Sequence, residues 1–175
     1  MKILRHFENV PDDLKGGVVV LGNFDGVHRG HQRVIWDAWL VAKKMDAPLI
    51  VMTFEPHPRD YFKLEDAPFR LSPFRNKAHQ LEALEIDGLI VLTFDEALSS
   101  MPAESFVEDV LVKGCAAKHV VVGYDFCFGK GRRGNADLMR EVGNFDVTTV
   151  NPVTSPDQEI YSSSRIRNYI KSGKP

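Results

Sequence analysis

The stretch Leu21-Gly22-Asn23-Phe24-Asp25-Gly26-Val27-His28-Arg29-Gly30-His31 is the most informative part of the sequence. The apolar run Val18–Leu21 predicts a buried strand that ends in this glycine-containing turn, and two histidines follow where a helix should begin. A strand end, a turn and a helix N-terminus together form an anion site, because free N–H groups and the positive end of the helix dipole point at one place. The stretch therefore predicts a site for a phosphate chain.

Short apolar runs rich in β-branched residues recur along the chain. After Val18–Leu21 they are Leu49–Phe54, Leu89–Phe94, Val120–Val122 and Val147–Val150. Continuous runs of this length are typical of strands that are buried on both faces. Segments with helical periodicity separate them, so the sequence predicts an α/β fold with a doubly wound, mainly parallel five-stranded sheet. Such sheets bind ligands at the carboxyl ends of their strands.

Three apolar stripes at helical spacing define the predicted helices between these strands. The stripes are Val34, Ala38, Val41 and Met45; Phe74, Ala78, Leu81 and Leu84; and Phe106, Val107, Val110 and Leu111. Ser72 is the predicted cap of the second helix, and Asn135 and the serines 162–164 are predicted to begin two more. The long connection 55–73 carries prolines and aromatic residues, which is typical of a functional loop.

Composition excludes several classes of protein. The 175 residues are 43% apolar and 26% charged, with a formal net charge of -2, which disfavours a general nucleic-acid binder. The two cysteines form no zinc-like grouping, so we expect a reduced, cytoplasmic setting. The apolar runs are too short to span a bilayer, and we expect no membrane association.

The two histidines have competing interpretations. An isolated H-x-x-H is more often a surface or capping pair, but the Gly-Asn-Phe-Asp-Gly turn before it favours a shared ligand for His28 and His31. We expect neutral rings, because a helix N-terminus disfavours protonation. A metal site is the weaker interpretation, since no third ligand follows at a recognisable spacing. Gly129-Lys130-Gly131 lacks the remaining P-loop residues, which disfavours a P-loop kinase.

A second element, Ser162-Ser163-Ser164-Arg165-Ile166-Arg167, places hydroxyls, backbone N–H groups and two guanidiniums at a helix start. This pattern suits a polyphosphate, although a serine cap with solvent-facing arginines is the ordinary alternative. The basic run 130–133 is either a phosphate or nucleic-acid contact or a solvated loop. Four phenylalanines form either an aromatic wall for a flat ring or part of the core. They are Phe62, Phe106, Phe126 and Phe128.

Four motifs carry a resemblance to a known family. They are the turn at 22–31, Thr53-Phe54-Glu55-Pro56-His57-Pro58, Val121-Val122-Gly123-Tyr124-Asp125-Phe126-Cys127-Phe128-Gly129, and the serine-arginine element at 162–167. In this order they resemble the adenylyltransferase module of prokaryotic bifunctional FAD synthetases, in the nucleotidyltransferase superfamily. Cys127 stands where that family commonly has arginine, and Ser164 where it has threonine.

The resemblance implies a Rossmann-like nucleotidyltransferase fold, a single FMN adenylyltransferase domain over residues 1–175, and no riboflavin kinase module in this chain. The implied reaction joins FMN and ATP to give FAD and pyrophosphate, with Mg²⁺ bound by the ATP phosphates rather than by protein side chains. Its rivals are another small-molecule nucleotidyltransferase and a non-catalytic module that binds flavin or nucleotide.

The resemblance also implies roles for particular residues. The implied catalytic residues are His28, His31 and Arg167. The implied ATP-binding residues are these three with Gly22, Asn23, Phe24, Asp25, Gly26, Ser162, Ser163, Ser164 and Arg165. The implied flavin-binding residues are Pro56, His57, Pro58, Phe62, Phe106, Asp125, Phe126 and Phe128.

Overall fold

The computed structural model describes residues 1–62 and 69–173, so the part of the predicted loop at 63–68 lies outside the described residues. Six parallel strands form one sheet in the order β1-β4-β3-β2-β5-β6. They are β1 (Lys2–Leu4), β2 (Val18–Leu21), β3 (Leu49–Glu55), β4 (Gly88–Thr93), β5 (His119–Gly123) and β6 (Asp146–Val150). The predicted parallel sheet is confirmed, with β1 as a sixth, unpredicted edge strand.

Helices connect the strands and cover both faces of the sheet. They are α1 (Arg29–Met45), α2 (Pro58–Tyr61), α3 (Phe74–Glu82), α4 (Glu96–Ser100), α5 (Ala103–Ser105), which continues as a π-helix over Phe106–Gly114, α6 (Ala136–Val142) and α7 (Ser163–Lys171). A single 3₁₀ turn spans Lys130–Arg132. Within the described part of the chain, no helix has the length and apolar character needed to cross a bilayer.

Alternate strand residues build two cores, one on each face of the sheet. Val18 and Val20 pack with α1 and α3, whereas Val19 and Leu21 pack with the π-helix and α6. All four are at most 2% exposed. Burial on both faces explains why the strands are uninterrupted apolar runs.

Two details of the predicted helices are wrong. The buried residues of α1 are Ile35, Ala38 and Ala42; the predicted Val34 and Val41 pack partly buried against the same core, whereas the predicted Met45 is 38% exposed. The sheet therefore contacts a side of α1 rotated by about one residue, where two alanines allow close approach. Ser72 does not cap α3, because its Oγ accepts the Gly26 N–H at 3.1 Å instead. The caps predicted at Asn135 and at the serines of α7 are confirmed.

The strand order creates a crevice beside β2. From β2 the chain winds to β3 and β4 on one side, and then returns to β5 and β6 on the other. The carboxyl ends of β2 and β5 therefore lie at a topological switch point, which is where open α/β sheets bind ligands. The glycine turn at 22–26 leaves the sheet at this point.

Candidate active site

The turn after β2 is held in a strained conformation. Phe24, Gly26 and Val27 have φ values of 49°, 80° and 36°, in the left-handed region that non-glycine residues rarely adopt. The Phe24 ring is buried over Gly22, where a Cβ would lie 2.9 Å from the ring. Only glycine leaves room for this ring at the end of β2. Strain of this kind persists where the surroundings enforce it, commonly at ligand sites.

The two histidines lie together at the start of α1. His28 is the residue that caps the helix, and its Nδ1 accepts the backbone N–H of His31 at 3.4 Å. The two rings stack with their centroids 3.7 Å apart, and both line one cavity. Because Nδ1 of His28 is an acceptor, the proton of the neutral ring resides on Nε2. His28 therefore presents an N–H donor rather than a lone pair at its outer nitrogen.

Both imidazoles are neutral at physiological pH. Burial lowers the pKa of His28, against an opposing effect of the Asp25 carboxylate. Burial, followed by the charges of His28 and Lys77, lowers the pKa of His31 to about 3. Neutral rings match the sequence expectation, but burial rather than the helix dipole is the leading cause. Among the described residues, Nδ1 of His31 and Oδ1 of Asn23 are the buried side-chain polar atoms without a hydrogen-bond partner.

Arg167 reaches the same region from α7. Its guanidinium forms an ion pair with Asp25 and donates from Nε to the Phe69 carbonyl oxygen at 2.7 Å. Both members of the pair are buried, at 7% and 5% exposure. The Asp25 carboxylate also accepts the backbone N–H groups of Leu71 and Ser72 at 3.0 and 3.1 Å. Asp25 and Arg167 thus join the glycine turn at 22–26 to α7 across the cavity.

Arg165, the other predicted arginine, is not brought to the cavity. Its Nη1 donates to the Ser155 hydroxyl and the Glu159 carbonyl oxygen, and its Nη2 donates to the Tyr169 hydroxyl at 2.9 Å. The Glu159 carboxylate forms an ion pair with the same guanidinium. The backbone N–H of Arg165 donates to the hydroxyl oxygen of Ser162, which caps α7. Arg165 secures the segment before α7.

The cavity at the switch point has a volume of about 380 Å³, within the range of small-molecule sites. Most of the predicted residues line it: Gly22, Asn23, Phe24, Asp25, His28, His31, His57, Pro58, Asp125, Phe126, Ser162, Ser163, Ser164 and Arg167. A larger cavity of about 620 Å³ lies beside the amino ends of the strands, around Lys2, Lys43 and Asp87. The cavity at the carboxyl ends is the candidate site, because the N-termini of α1 and α7 and the stacked histidines meet there.

The remaining predicted residues do not line this cavity. Phe106 and Phe128 are core residues, at 2% and 6% exposure, with ring centroids 5.3 Å apart. Phe62 is 56% exposed and contacts the Phe94 ring. Gly26, Pro56 and Arg165 also lie outside the lining. Large aromatic side chains are normally core residues, and for Phe106 and Phe128 that ordinary interpretation is correct.

Sequence reasoning missed several residues that line the cavity or support it. Arg59 was missed and lines it, whereas Arg132, which also lines it, belongs to the basic run 130–133 whose two interpretations the sequence left open; neither arginine forms an ion pair with any other described residue. Tyr161 lines it beside the serines. The buried Lys77 forms an ion pair with the partly buried Glu55 behind the turn. A lysine adjacent to the apolar stripe of α3 was the available signal for that pair.

Comparison with known proteins identifies the family of this chain. A profile of the FAD synthetase family matches residues 10–165. The chain belongs to the FAD synthetase family. The bifunctional riboflavin kinase/FMN adenylyltransferase of Buchnera aphidicola subsp. Schizaphis graminum is 32% identical over 99% of this chain and 57% of its own length. The Escherichia coli K12 protein of the same name is 37% identical, over 85% of this chain and 49% of its own.

A solved structure shows the same architecture. A Streptococcus pneumoniae protein described as a macrolide-efflux protein superposes with a TM-score of 0.83 and 28% identity, over 96% of this chain and 55% of that chain. This chain thus spans about half the length of the FAD synthetase relatives and of the structure it matches.

Proposed function

We propose that this chain transfers AMP from ATP to the phosphate of FMN, giving FAD and pyrophosphate. The observation that carries the proposal is the stacked, neutral His28–His31 pair in a switch-point cavity, in a chain of the FAD synthetase family. Two relatives named as FMN adenylyltransferases match over most of this chain. A cytoplasmic location stays a prediction from the cysteine content.

The chemistry needs no protein nucleophile, because the FMN phosphate is already an anion. Its oxygen attacks the α-phosphorus of ATP, a new P–O bond forms, and the bond to the leaving pyrophosphate breaks. Catalysis then consists of alignment and of donors aimed at developing charge. His28 supplies an N–H donor through Nε2, and the His31 ring, stacked against it, lines the same cavity. Neutral rings suit this role, since donation requires no change of protonation.

The start of α7 supplies a second set of donors for phosphate. The Ser162 hydroxyl is used as the cap, and the Ser163 hydroxyl donates to the Asp25 carbonyl oxygen at 2.9 Å. These bonds orient the first turn, whose free N–H groups face the cavity lined by the three serines. We infer that this turn and Arg167 hold the β- and γ-phosphates.

ATP enters as its magnesium complex in this proposal. Within residues 1–62 and 69–173, no three His, Cys, Asp or Glu side chains gather as a protein-held metal site requires. Mg²⁺ commonly keeps several waters and is bound through substrate phosphates. The ion is therefore part of the substrate, and it neutralises charge on the phosphates.

The flavin is assigned to the side of the cavity formed by His57, Pro58, Asp125 and Phe126. His57 caps α2, with its Nδ1 accepting the Arg59 N–H at 3.2 Å, so its Nε2 carries the proton. Phe126 offers a ring face backed by Phe128, with centroids 6.0 Å apart. A planar ring system can stack on such a surface.

The test is incubation of the chain with FMN, ATP and Mg²⁺, with FAD separated by chromatography and pyrophosphate measured in parallel. We expect equal amounts of both products, and neither product from a His28→Ala, His31→Ala double variant. Replacing FMN with pantetheine phosphate, or ATP with CTP, examines the rival nucleotidyltransferase assignment. Flavin and nucleotide binding without pyrophosphate release would instead assign a non-catalytic module and overturn the proposal.

A further inference from the structure

Lys77 is the most unusual side chain near the site. It lies on α3 and is only 3% exposed, beside the core residues Ala78 and Leu81. Lysine is almost never fully buried unless it is paired, because removing its charge from water is costly. Its location therefore calls for a role that a surface lysine would not fill.

Two bonds account for the Lys77 ammonium. Its Nζ donates to Oε1 of Glu55 at 2.8 Å and to the carbonyl oxygen of Asn23 at 3.1 Å. The bond to Glu55 neutralises the charge of the ammonium, and the bond to Asn23 attaches α3 to the glycine turn at 22–26. The same Asn23 carbonyl oxygen accepts the hydroxyl of the fully buried Thr53 at 3.2 Å. One backbone oxygen is thus fixed by two side chains from two different elements.

Glu55 connects this arrangement to the other side of the cavity. Its second oxygen accepts from Arg70 at 2.6 Å, and Arg70 also donates to Asp60 on α2 at 2.7 Å. Burial alone would raise the pKa of the Glu55 carboxyl, but hydrogen bonds from Lys77 and Arg70 hold it below its ordinary value. The carboxylate is therefore ionised and keeps both cations in place.

The Asn23 carbonyl controls what the turn presents to the cavity. Its orientation fixes the peptide that leads into Phe24, whose φ of 49° is unfavourable without such support. The Phe24 ring in turn meets the edge of His31 at a centroid distance of 5.3 Å. Asn23 on the turn and His31 in the first turn of α1 also carry the buried side-chain polar atoms that have no partner among the described residues.

We propose that Lys77 is a positioning residue: held by Glu55, its ammonium fixes the Asn23 carbonyl and thereby the geometry of Asn23 and His31 toward the nucleotide. Lys77 is outside the cavity lining, so it acts through the turn. The role rests on the proposed adenylyl transfer. A catalytic group displaced by about 1 Å can lose roughly a hundredfold in rate, so a positioning residue has a large effect on kcat.

The experiment compares Lys77→Met with Lys113→Met, an exposed helical lysine paired with Asp109 at 2.7 Å. We expect Lys77→Met to lower kcat by about ten- to a hundredfold, with KM for FMN changed by less than about twofold. Lys113→Met should match the wild type in both constants. A Lys77→Met enzyme that keeps wild-type kcat overturns the proposal, as does one in which only KM rises.

Thr53→Val removes the second donor to the same carbonyl with little change in shape, and it replaces Lys77→Met if that variant fails to fold. We expect Thr53→Val to lower kcat several-fold. In the Thr53→Val, Lys77→Met double variant the loss of kcat should differ from the product of the two single losses, because both side chains act on one oxygen. An unchanged kcat in Thr53→Val overturns the proposal. Absence of FAD from the wild type would overturn the transfer function and this role together, whereas full activity in the variants overturns the role alone.

Discussion

Replacing Arg167 with methionine should destabilise the fold as well as impair transfer. The substitution leaves the Asp25 carboxylate buried at 5% exposure without its cation. Removing one partner of a buried ion pair costs about 3–5 kcal/mol. Asp25 keeps the N–H groups of Leu71 and Ser72, which solvate its charge, so we expect a loss near the lower end, about 3 kcal/mol. For a domain of this size that loss lowers Tm by roughly 6–12 °C.

Urea and thermal unfolding followed by circular dichroism measure this loss directly. The Asp25→Asn, Arg167→Met double variant is the informative control, because it removes the uncompensated charge. We expect the double variant to recover about 1–2 kcal/mol relative to Arg167→Met alone. If the free energy of unfolding of Arg167→Met lies within about 0.5 kcal/mol of the wild-type value, the ion pair does not stabilise the contact between the turn and α7, and the prediction is wrong.

Three further predictions concern the cavity. His28→Ala should lower kcat about a hundredfold by removing a donor to developing charge, measured as FAD formation, while a retained rate would exclude that role. Burial lowers the pKa of His31 to about 3. At a pH below the ordinary histidine pKa the unfolded chain therefore binds more protons than the folded one, and the free energy of unfolding should fall as the pH drops. Urea unfolding of His31→Asn should show a weaker decline. Arg132→Ala should raise KM for a phosphate-bearing substrate about tenfold, whereas Arg133→Ala, outside the cavity lining, should not. Equal effects on KM would mean that both arginines act only through their positive charge and that Arg132 makes no specific contact.

The sequence predicted strands best where burial is complete on both faces. β2 runs over Val18–Leu21 as expected, because an uninterrupted apolar run has no other favourable placement in the fold. β1 was missed, since Lys2–Leu4 is three residues long, largely exposed, and becomes a strand only by pairing with β4. Edge pairing depends on a partner about 86 positions away in the chain. Local pattern carries no such information.

In the site, too, local motifs were predictable and contacts between distant residues were not. The histidine turn and the serine cap are local motifs, and the helix starts that follow them were predictable from the local sequence. The pairing of Asp25 with Arg167 joins residues 142 positions apart, and Lys77 reaches Asn23 across 54. Neither residue type nor spacing identifies such partners. The structure therefore adds the supports behind the turn, rather than the turn itself.

One error in the site was avoidable on helical geometry. Residues two apart on a helix point about 200° from each other, so Arg165 and Arg167 of α7 cannot both face one ligand. Arg167 lies on the buried side of α7, and Arg165 lies on the opposite side, where it contacts Glu159 and Tyr169. Of the five N–H donors of Arg167, Nε and Nη2 are engaged by Phe69 and Asp25, while Nη1 has no partner among the residues described. In the proposed function that free edge is what remains for a phosphate, and the Asp25 pair holds the guanidinium in place.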